Sequence, residues 1–169
     1  MYEYSSDGAS GDVWRMRRDG AARREPVFVG SRFHGADLAR MSLTPRQDAG
    51  AFCVENASGS TLFLSQLPMT SSKWLADPVR DVVSAEWSSD GKNVVFSQLG
   101  ADKRPSHVYI LAVGDARGPR LLYEEQDTRF VVDVQRSKNG RFLMVNSNTP
   151  TTSKVHERVS LRDLSDTVF

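Results

Sequence analysis

Residues 83–96, VSAEWSSDGKNVVF, consist of a strand-like segment, a polar turn and a second, apolar segment. The turn contains Asp90-Gly91, a dipeptide that suits tight hairpins because both residues tolerate positive φ. The segment after it, Val94-Val95-Phe96, is apolar at consecutive positions, as expected of a strand that is covered on both faces. The stretch therefore predicts a β-hairpin that lies between two neighbouring layers.

The same order of segments recurs along the chain. Innermost strands are predicted at 39–43, 83–87 and 132–136, and the apolar second strands at 51–54, 94–96 and 142–145. Ala85 and Val134 are 49 positions apart, and so are the turn dipeptides Asp90-Gly91 and Asn139-Gly140. A period of roughly 40 to 50 residues is that of propeller blades.

Third and fourth strands complete the repeating unit. Third strands are predicted at 13–16, 61–64, 107–111 and 155–159, and outer strands at 26–29, 73–76 and 120–123. Pro26, Lys73 and Arg120, which begin the outer strands, follow each other at intervals of 47 positions. Four strands per unit with short turns and no helical stretch is the pattern of a blade.

The fold class that follows is all-β: a partial β-propeller of four-stranded antiparallel blades, about three and a half blades long. The predicted units are 1–35 (the end of one blade), 36–80, 81–126 and 127–169 (most of a blade). A β-sandwich of short hairpins is the competing fold, but it does not require this recurrence. The repeat is cut mid-blade at both ends, so we expect part of a longer protein that self-associates through uncovered blade faces.

Composition and charge exclude several classes of function. Lys plus Arg is 22 and Asp plus Glu is 21, so a net charge of +1 creates no broad field for nucleic acid or an anionic membrane. The basic cluster at residues 15–24 is interrupted by acidic Asp19 and Glu25, and we interpret it as a solvated hairpin and not as the alternative, a phosphate-binding patch. A single cysteine, no apolar span and no apolar leader after Met1 together predict a cytoplasmic protein.

The run from Val83 to Val155 resembles the propeller of the prolyl oligopeptidase family of serine peptidases, and within it the oligopeptidase B branch. The residues that carry this resemblance are 85–92, 122–125 with Asp127, 129–132, 137–142 and 151–155. Residues 11–18 resemble the same domain less sharply. Thr128 and Lys154 depart from the proline and glutamate that family members often have there, which suggests a diverged member.

The resemblance implies a seven-bladed propeller that caps an α/β-hydrolase domain and limits access to short peptides, which the oligopeptidase B branch cleaves after Arg or Lys. The chain contains no Gly-x-Ser-x-Gly nucleophile turn. We therefore expect a gating and substrate-filtering propeller whose α/β-hydrolase partner lies outside residues 1–169. Whether the chain belongs to an enzyme stays open, and the alternative is a scaffold propeller that binds a partner protein.

Candidate catalytic and metal-binding residues are few, and each has a structural explanation. His107 and His156 occupy equivalent strand positions, and His34 lies in a loop, so none is assigned as a catalytic base. Cys53 lies in an apolar strand, where a buried and unreactive thiol is expected. The sequence predicts no catalytic residue, no metal site and no cofactor in this chain.

The remaining motifs are weaker. The acidic run Glu124, Glu125 and Asp127 either holds a basic peptide or, as we expect, forms a solvated loop between blades. We assign the three tryptophans to core packing: Trp14, Trp74 and Trp87. Three glycines near the start of the chain form no phosphate loop: Gly8, Gly11 and Gly20. Asn56-Ala57-Ser58 fits a glycosylation acceptor pattern, but we expect no modification in a chain without a secretory leader.

Overall fold

The computed structural model describes residues 2–7, 11–18, 23–71, 73–138 and 142–160, with the backbone alone for residues 7 and 154–160. The described part is built from strands and contains one short 3-10 helix, Gly30–Phe33, and no α-helix. In chain order the strands are β1 Tyr2–Asp7, β2 Asp12–Arg17, β3 Arg24–Phe28, β4 Asp37–Leu43, β5 Ala49–Asn56, β6 Gly59–Gln66, β7 Val79–Arg80, β8 Val82–Trp87, β9 Asn93–Leu99, β10 Pro105–Ala112, β11 Arg120–Glu124, β12 Val131–Arg136, β13 Phe142–Asn148 and β14 Ser153–Ser160.

The strands form four antiparallel sheets, each of which follows chain order. The first sheet is β1-β2-β3, the second β4-β5-β6-β7, the third β8-β9-β10-β11 and the fourth β12-β13-β14. Strands that are consecutive in the chain are hydrogen-bonded neighbours, as in the blades of a propeller. The fold is a partial β-propeller, as the repeat predicted.

The second strand of a blade is buried on both faces, and alternate residues on it pack against different neighbours. On β5, Ala51 and Cys53 face the third sheet, whereas Phe52 and Val54 pack toward the first sheet. On β9, Val94 and Phe96 pack on the second sheet, and Val95 packs on the fourth. Burying each such side chain contributes roughly 1.5–3 kcal/mol, which explains why these segments are continuously apolar.

A hydroxyl residue closes the turn between the first and second strands in three blades. Thr44, Ser88 and Ser137 each accept a side-chain hydrogen bond from the amide five positions later, at 3.3, 2.9 and 3.0 Å. Their own amides donate to the carbonyl of that same later residue at 3.0, 2.8 and 2.9 Å. The repeated turn is thus held by a side chain as well as by the backbone.

The second and third strands of the repeat lie where the pattern predicted them, but one outer strand was predicted wrongly. Residues 73–76 form only an isolated bridge between Trp74 and Ser65, and the outer strand of the second sheet is Val79–Arg80. The apolar Trp74 side chain packs on Phe33 and Phe63, with its ring centroid 5.7 and 5.0 Å from theirs. The apolar pattern at 73–76 therefore reflected packing and not strand pairing.

The turn at Asp90-Gly91 is also longer than the predicted tight hairpin. It spans Ser88 to Lys92, and only Gly91 of the dipeptide has a positive φ, at 70°. Asp90 instead uses its carboxylate to accept hydrogen bonds from Ser88 Oγ and from the amide of Lys92. The corresponding Asn139-Gly140 lies outside the described residues.

Candidate functional site on the inner strands

The first strands of three successive sheets, β4, β8 and β12, lie side by side. Strand β8 contacts both β4 and β12. In a propeller, the first strand of each blade lines the central channel. These three strands therefore form one wall of such a channel, which we call the inner-strand wall.

Serine hydroxyls join neighbouring strands of the inner-strand wall. Ser42 Oγ on β4 accepts a hydrogen bond from the amide of Trp87 on β8 at 3.4 Å. Ser84 Oγ on β8 accepts one from the amide of Val134 on β12 at 3.2 Å. Each hydroxyl accepts a hydrogen bond from an edge-strand amide of the next sheet. Those two amides are therefore not available to pair with an added strand.

Side chains of opposite charge pair between the strands of the inner-strand wall. Arg40 of β4 lies 3.6 Å from Asp133 Oδ1 of β12, and Arg136 of β12 lies 3.7 Å from Glu86 Oε2 of β8. Ser42 Oγ also donates to Glu86 Oε2 at 2.7 Å. The network links three blades, because Arg40 crosses β8 to reach Asp133.

The network leaves hydrogen-bonding capacity unused within the described residues. Asp133 Oδ1 and Arg136 Nε are buried atoms without a hydrogen-bond partner there. A cleft of about 340 Å³ on the same wall is lined by three polar residues, Arg40, Ser84 and Glu86, and by three apolar ones, Met41, Ala85 and Val134. Through Arg40 and Glu86, which line the cleft, the wall can offer a donor and an acceptor to a polar chain that passes along it.

The structure also brings together a serine, a histidine and a carboxylate that the sequence analysis did not connect. Ser106 Oγ lies 2.9 Å from His107 Nδ1, and His107 Nε2 lies 3.6 Å from Glu124 Oε1. Ser106 is 3% exposed, and a β-carbon on Gly100 would stand 2.5 Å from its hydroxyl. A nucleophile must reach a substrate carbonyl, so this buried hydroxyl does not fit a hydrolytic triad. The adjacency of Ser106 and His107 in the sequence was the signal that could have predicted their contact.

The other two histidines and the cysteine are separated from this group. His34 follows the 3-10 helix in an exposed left-handed conformation, and His156 lies on β14, where only the backbone is described. Cys53 is buried, and burial raises the pKa of its thiol to about 12. Its thiol is therefore neutral and a poor nucleophile at physiological pH.

The acidic run is not the uniformly solvated loop that the sequence predicted. Glu124 is exposed, but Glu125 is only 9% exposed. The Glu125 carboxylate accepts hydrogen bonds from Tyr123 Oη, Ser147 Oγ and the amide of Asp127, at 2.9, 2.7 and 3.0 Å. Glu125 therefore holds the connection between the third and fourth sheets.

The basic cluster also differs in part from its predicted solvated state. Arg15 is 5% exposed, pairs with Glu25 at 3.0 Å and stacks on the Tyr2 ring at 4.5 Å. Its guanidinium also donates to the carbonyl of Gln47 in the second sheet. Arg23 is exposed.

The tryptophans and turn residues have mainly structural surroundings. Trp87 is 1% exposed and packs in the core, and Trp14 is half-buried on β2. Gly11 has a positive φ of 69°, whereas Gly8 and Gly20 lie outside the described residues. Asn56 is the exposed last residue of β5 and accepts a hydrogen bond from the amide of Ser58 in the turn that follows.

The described residues contain neither a metal-binding cluster nor a membrane-spanning helix. No group of three His, Cys, Asp or Glu side chains there is arranged to hold a metal ion. No helix there is long and apolar enough to cross a membrane.

The sheet order and the inner-strand wall define the class of protein: a propeller domain built from four-stranded blades. Residues 33–166 match the family model described as "Prolyl oligopeptidase, N-terminal beta-propeller domain". The chain therefore belongs to the prolyl oligopeptidase family, as the resemblance implied.

Individual relatives agree with this assignment. A protein named prolyl endopeptidase-like from Gallus gallus is 30% identical over 125 residues, which are 73% of this chain and 16% of the relative. Protease 2 from Moraxella lacunata is 28% identical over 110 residues, which are 61% of this chain and 16% of the relative. The chain thus spans about a sixth of the length of these curated relatives.

A solved structure shows the same fold. Oligopeptidase B from Leishmania major superposes with a TM-score of 0.78 at 19% sequence identity. The superposition covers 96% of this chain and 24% of the Leishmania protein.

Proposed function

We propose that this chain is the gating and substrate-filtering propeller portion of a serine oligopeptidase that cleaves short peptides after Arg or Lys. In this proposal an α/β-hydrolase domain outside residues 1–169 performs the hydrolysis, and the protein works in the cytoplasm. Residues 1–35, 36–80, 81–126 and 127–169 are the blade units, within a ring of seven. No residue of the chain is assigned a catalytic, metal-binding or cofactor-binding role.

The inner-strand wall is the observation that carries the proposal. Its charged network, Arg40–Asp133 and Arg136–Glu86, lies on the first strands of three blades, and two of its members, Arg40 and Glu86, line an open cleft. A short peptide that passes along the wall can exchange water for these donors and acceptors. A folded protein cannot enter such a channel, so the wall selects for short and extended chains.

Met41 offers a way to test filtering without altering the charged network. Met41 is on the wall and 37% exposed, and Met16, on β2 of the first sheet, is a matched control at 36% exposed. Met41→Trp should narrow the channel, whereas Met16→Trp adds the same bulk elsewhere.

The experiment compares both variants in the longer gene product that includes the hydrolase domain. Arg-containing peptides of increasing length are assayed, and Met41→Trp should lower kcat/KM progressively as the peptides lengthen, with a dipeptide-sized substrate unaffected. Met16→Trp should match the wild type at every length. Equal kcat/KM for Met41→Trp and the wild type at all lengths contradicts the filtering role.

The chain alone provides a second measurement. Residues 1–169 should not hydrolyse Arg- or Lys-containing peptides. If the longer product also lacks hydrolytic activity, the scaffold alternative replaces the proposal.

A further inference from the structure

The outer strands of the first three sheets differ in how their free edges are protected. Strand β3 contains Pro26, which has no amide to donate, and the Pro26 carbonyl accepts a hydrogen bond from the amide of Met69. Strand β7 is only two residues long. Proline, a covering segment and a short strand are devices that stop edge strands from pairing with other chains.

Within the part of the chain that the structure describes, strand β11 has none of these protections. It is five residues long, Arg120–Glu124, contains no proline and pairs with β10 alone among the described strands. Its Leu121 is 44% exposed, the largest value among the exposed large apolar side chains of the described residues. An open edge strand with an exposed leucine is a template for another strand.

The sequence of β11 indicates which strand would pair there. Its order is Arg-Leu-Leu-Tyr-Glu, with a cation at one end and an anion at the other. If two copies pair antiparallel about a two-fold axis at Leu122, Arg120 of each faces Glu124 of the other. Leu121 then faces Tyr123, so the exposed apolar side chains cover each other.

We infer that β11 is a homodimerisation edge, where two copies of the chain pair antiparallel through Arg120–Glu124. The two third sheets then join into one continuous sheet of eight strands. A two-fold interface of this kind is self-complementary, as closed dimers require. The inference concerns a surface on the outer rim and does not depend on the proposed peptidase function.

Charge reversal tests the inference because the two ends of β11 must have opposite signs. Arg120→Glu leaves two acidic ends and Glu124→Arg leaves two basic ends, so each variant alone should self-associate about tenfold more weakly than the wild type. Mixing the two variants creates a heterodimer in which every facing pair is again opposite in charge. Sedimentation velocity across a concentration series should therefore show association restored in the mixture.

Arg117→Glu is the matched control, since Arg117 lies in the loop before β11 and its side chain is 89% exposed. It changes the net charge as Arg120→Glu does and should leave self-association unchanged. Far-ultraviolet circular dichroism of every variant reports whether it is folded. If either reversal fails to fold, Leu121→Lys replaces it and should weaken association, with Met16→Lys as its control.

Three results would overturn the inference. The first is a wild type that is monomeric across the whole series, and the second is a pair of reversals that associate as tightly as the wild type. The third is a mixture that associates no better than its two components. Association through uncovered sheet faces predicts the last two results, so the experiment separates it from pairing at β11.

Discussion

Two loops of the third blade contain the same Asp-x-Arg motif but use it differently. In both Asp102-Lys103-Arg104 and Asp115-Ala116-Arg117, the aspartate accepts a hydrogen bond from the arginine amide, at 3.1 and 2.9 Å. In both, the arginine side chain pairs with that aspartate, at 3.1 and 2.7 Å. By local geometry the two loops are close copies.

The two arginines differ in what else they reach. The Arg117 side chain is 89% exposed, whereas that of Arg104 is 15% exposed. Arg104 donates to the carbonyls of Phe130 and Glu125, which belong to the connection into the fourth sheet. A local motif therefore fixes a loop, but the tertiary surroundings decide whether it also joins two blades.

The largest expected effect is from Arg104→Ala. Removing this guanidinium leaves two carbonyls without their charged donor, which should lower the free energy of unfolding by about 2–3 kcal/mol. Arg117→Ala removes the same side chain from an exposed loop and should leave the unfolding curve in urea unchanged within error. Equal loss of stability in both variants would show that each arginine contributes to the free energy of unfolding through the local motif and not through its tertiary contacts.

Glu125→Ala examines the same connection from its acceptor side. Three donors, Tyr123 Oη, Ser147 Oγ and the Asp127 amide, lose a buried carboxylate, so stability should fall by about 2 kcal/mol. Gln126→Ala, one residue later and exposed, is the control and should leave the urea midpoint unchanged. A midpoint for Glu125→Ala that matches this control would contradict a joining role for Glu125.

Arg104→Lys should have an intermediate effect. A lysine keeps the positive charge but lacks the rigid fork of a guanidinium, so it cannot serve Asp102 and both carbonyls together. We expect a loss of about 1 kcal/mol, again measured by urea unfolding. A loss as large as that of Arg104→Ala would mean that charge contributes little at this position.

The smallest effect concerns titration at the exposed loop. The hydrogen bond from the Arg117 side chain lowers the pKa of Asp115 from 3.8 to about 2. Because the folded pKa is depressed, any contribution of this contact to stability is present above pH 3.8 and lost as the pH falls to about 2, and solvent screening at this exposed site keeps it too small to move the urea curve. Carboxyl-detected NMR should show the Asp115 titration move upward in Arg117→Ala.

Asp102 is the internal control for that titration. Its pKa is also lowered, with the hydrogen bond from the Arg104 amide as the largest cause, and the Arg117 substitution should not move it. An unchanged Asp115 titration in Arg117→Ala would show that the side-chain contact does not persist in solution.

Much of the fold could be predicted from the sequence because its signals are local. The innermost strand predicted at 83–87 is observed at Val82–Trp87, and the outer strand predicted at 120–123 is Arg120–Glu124. The outer strand predicted at 73–76 was wrong. The observed outer strand, Val79–Arg80, is the segment that pairs with β6, and the local apolar pattern does not identify it. Edge strands have few partners, so their positions depend most on the rest of the fold.

The candidate site was less predictable. The acidic run, the histidines and the innermost strands are visible in the sequence, but the charged network that joins those strands is not. Arg40 and Asp133 are far apart in the chain and meet only because three blades stack beside each other. No spacing rule connects such residues, because their separation depends on the packing of whole sheets.

The sequence by itself determined the blade repeat, the strand order and the apolar second strands. Those features depend on turn chemistry and on alternation along one strand, which neighbouring residues set. Only the tertiary structure decided which polar residues are buried. It placed Arg104 against a neighbouring sheet and left Arg117 in solvent, because burial depends on segments that approach from elsewhere in the chain.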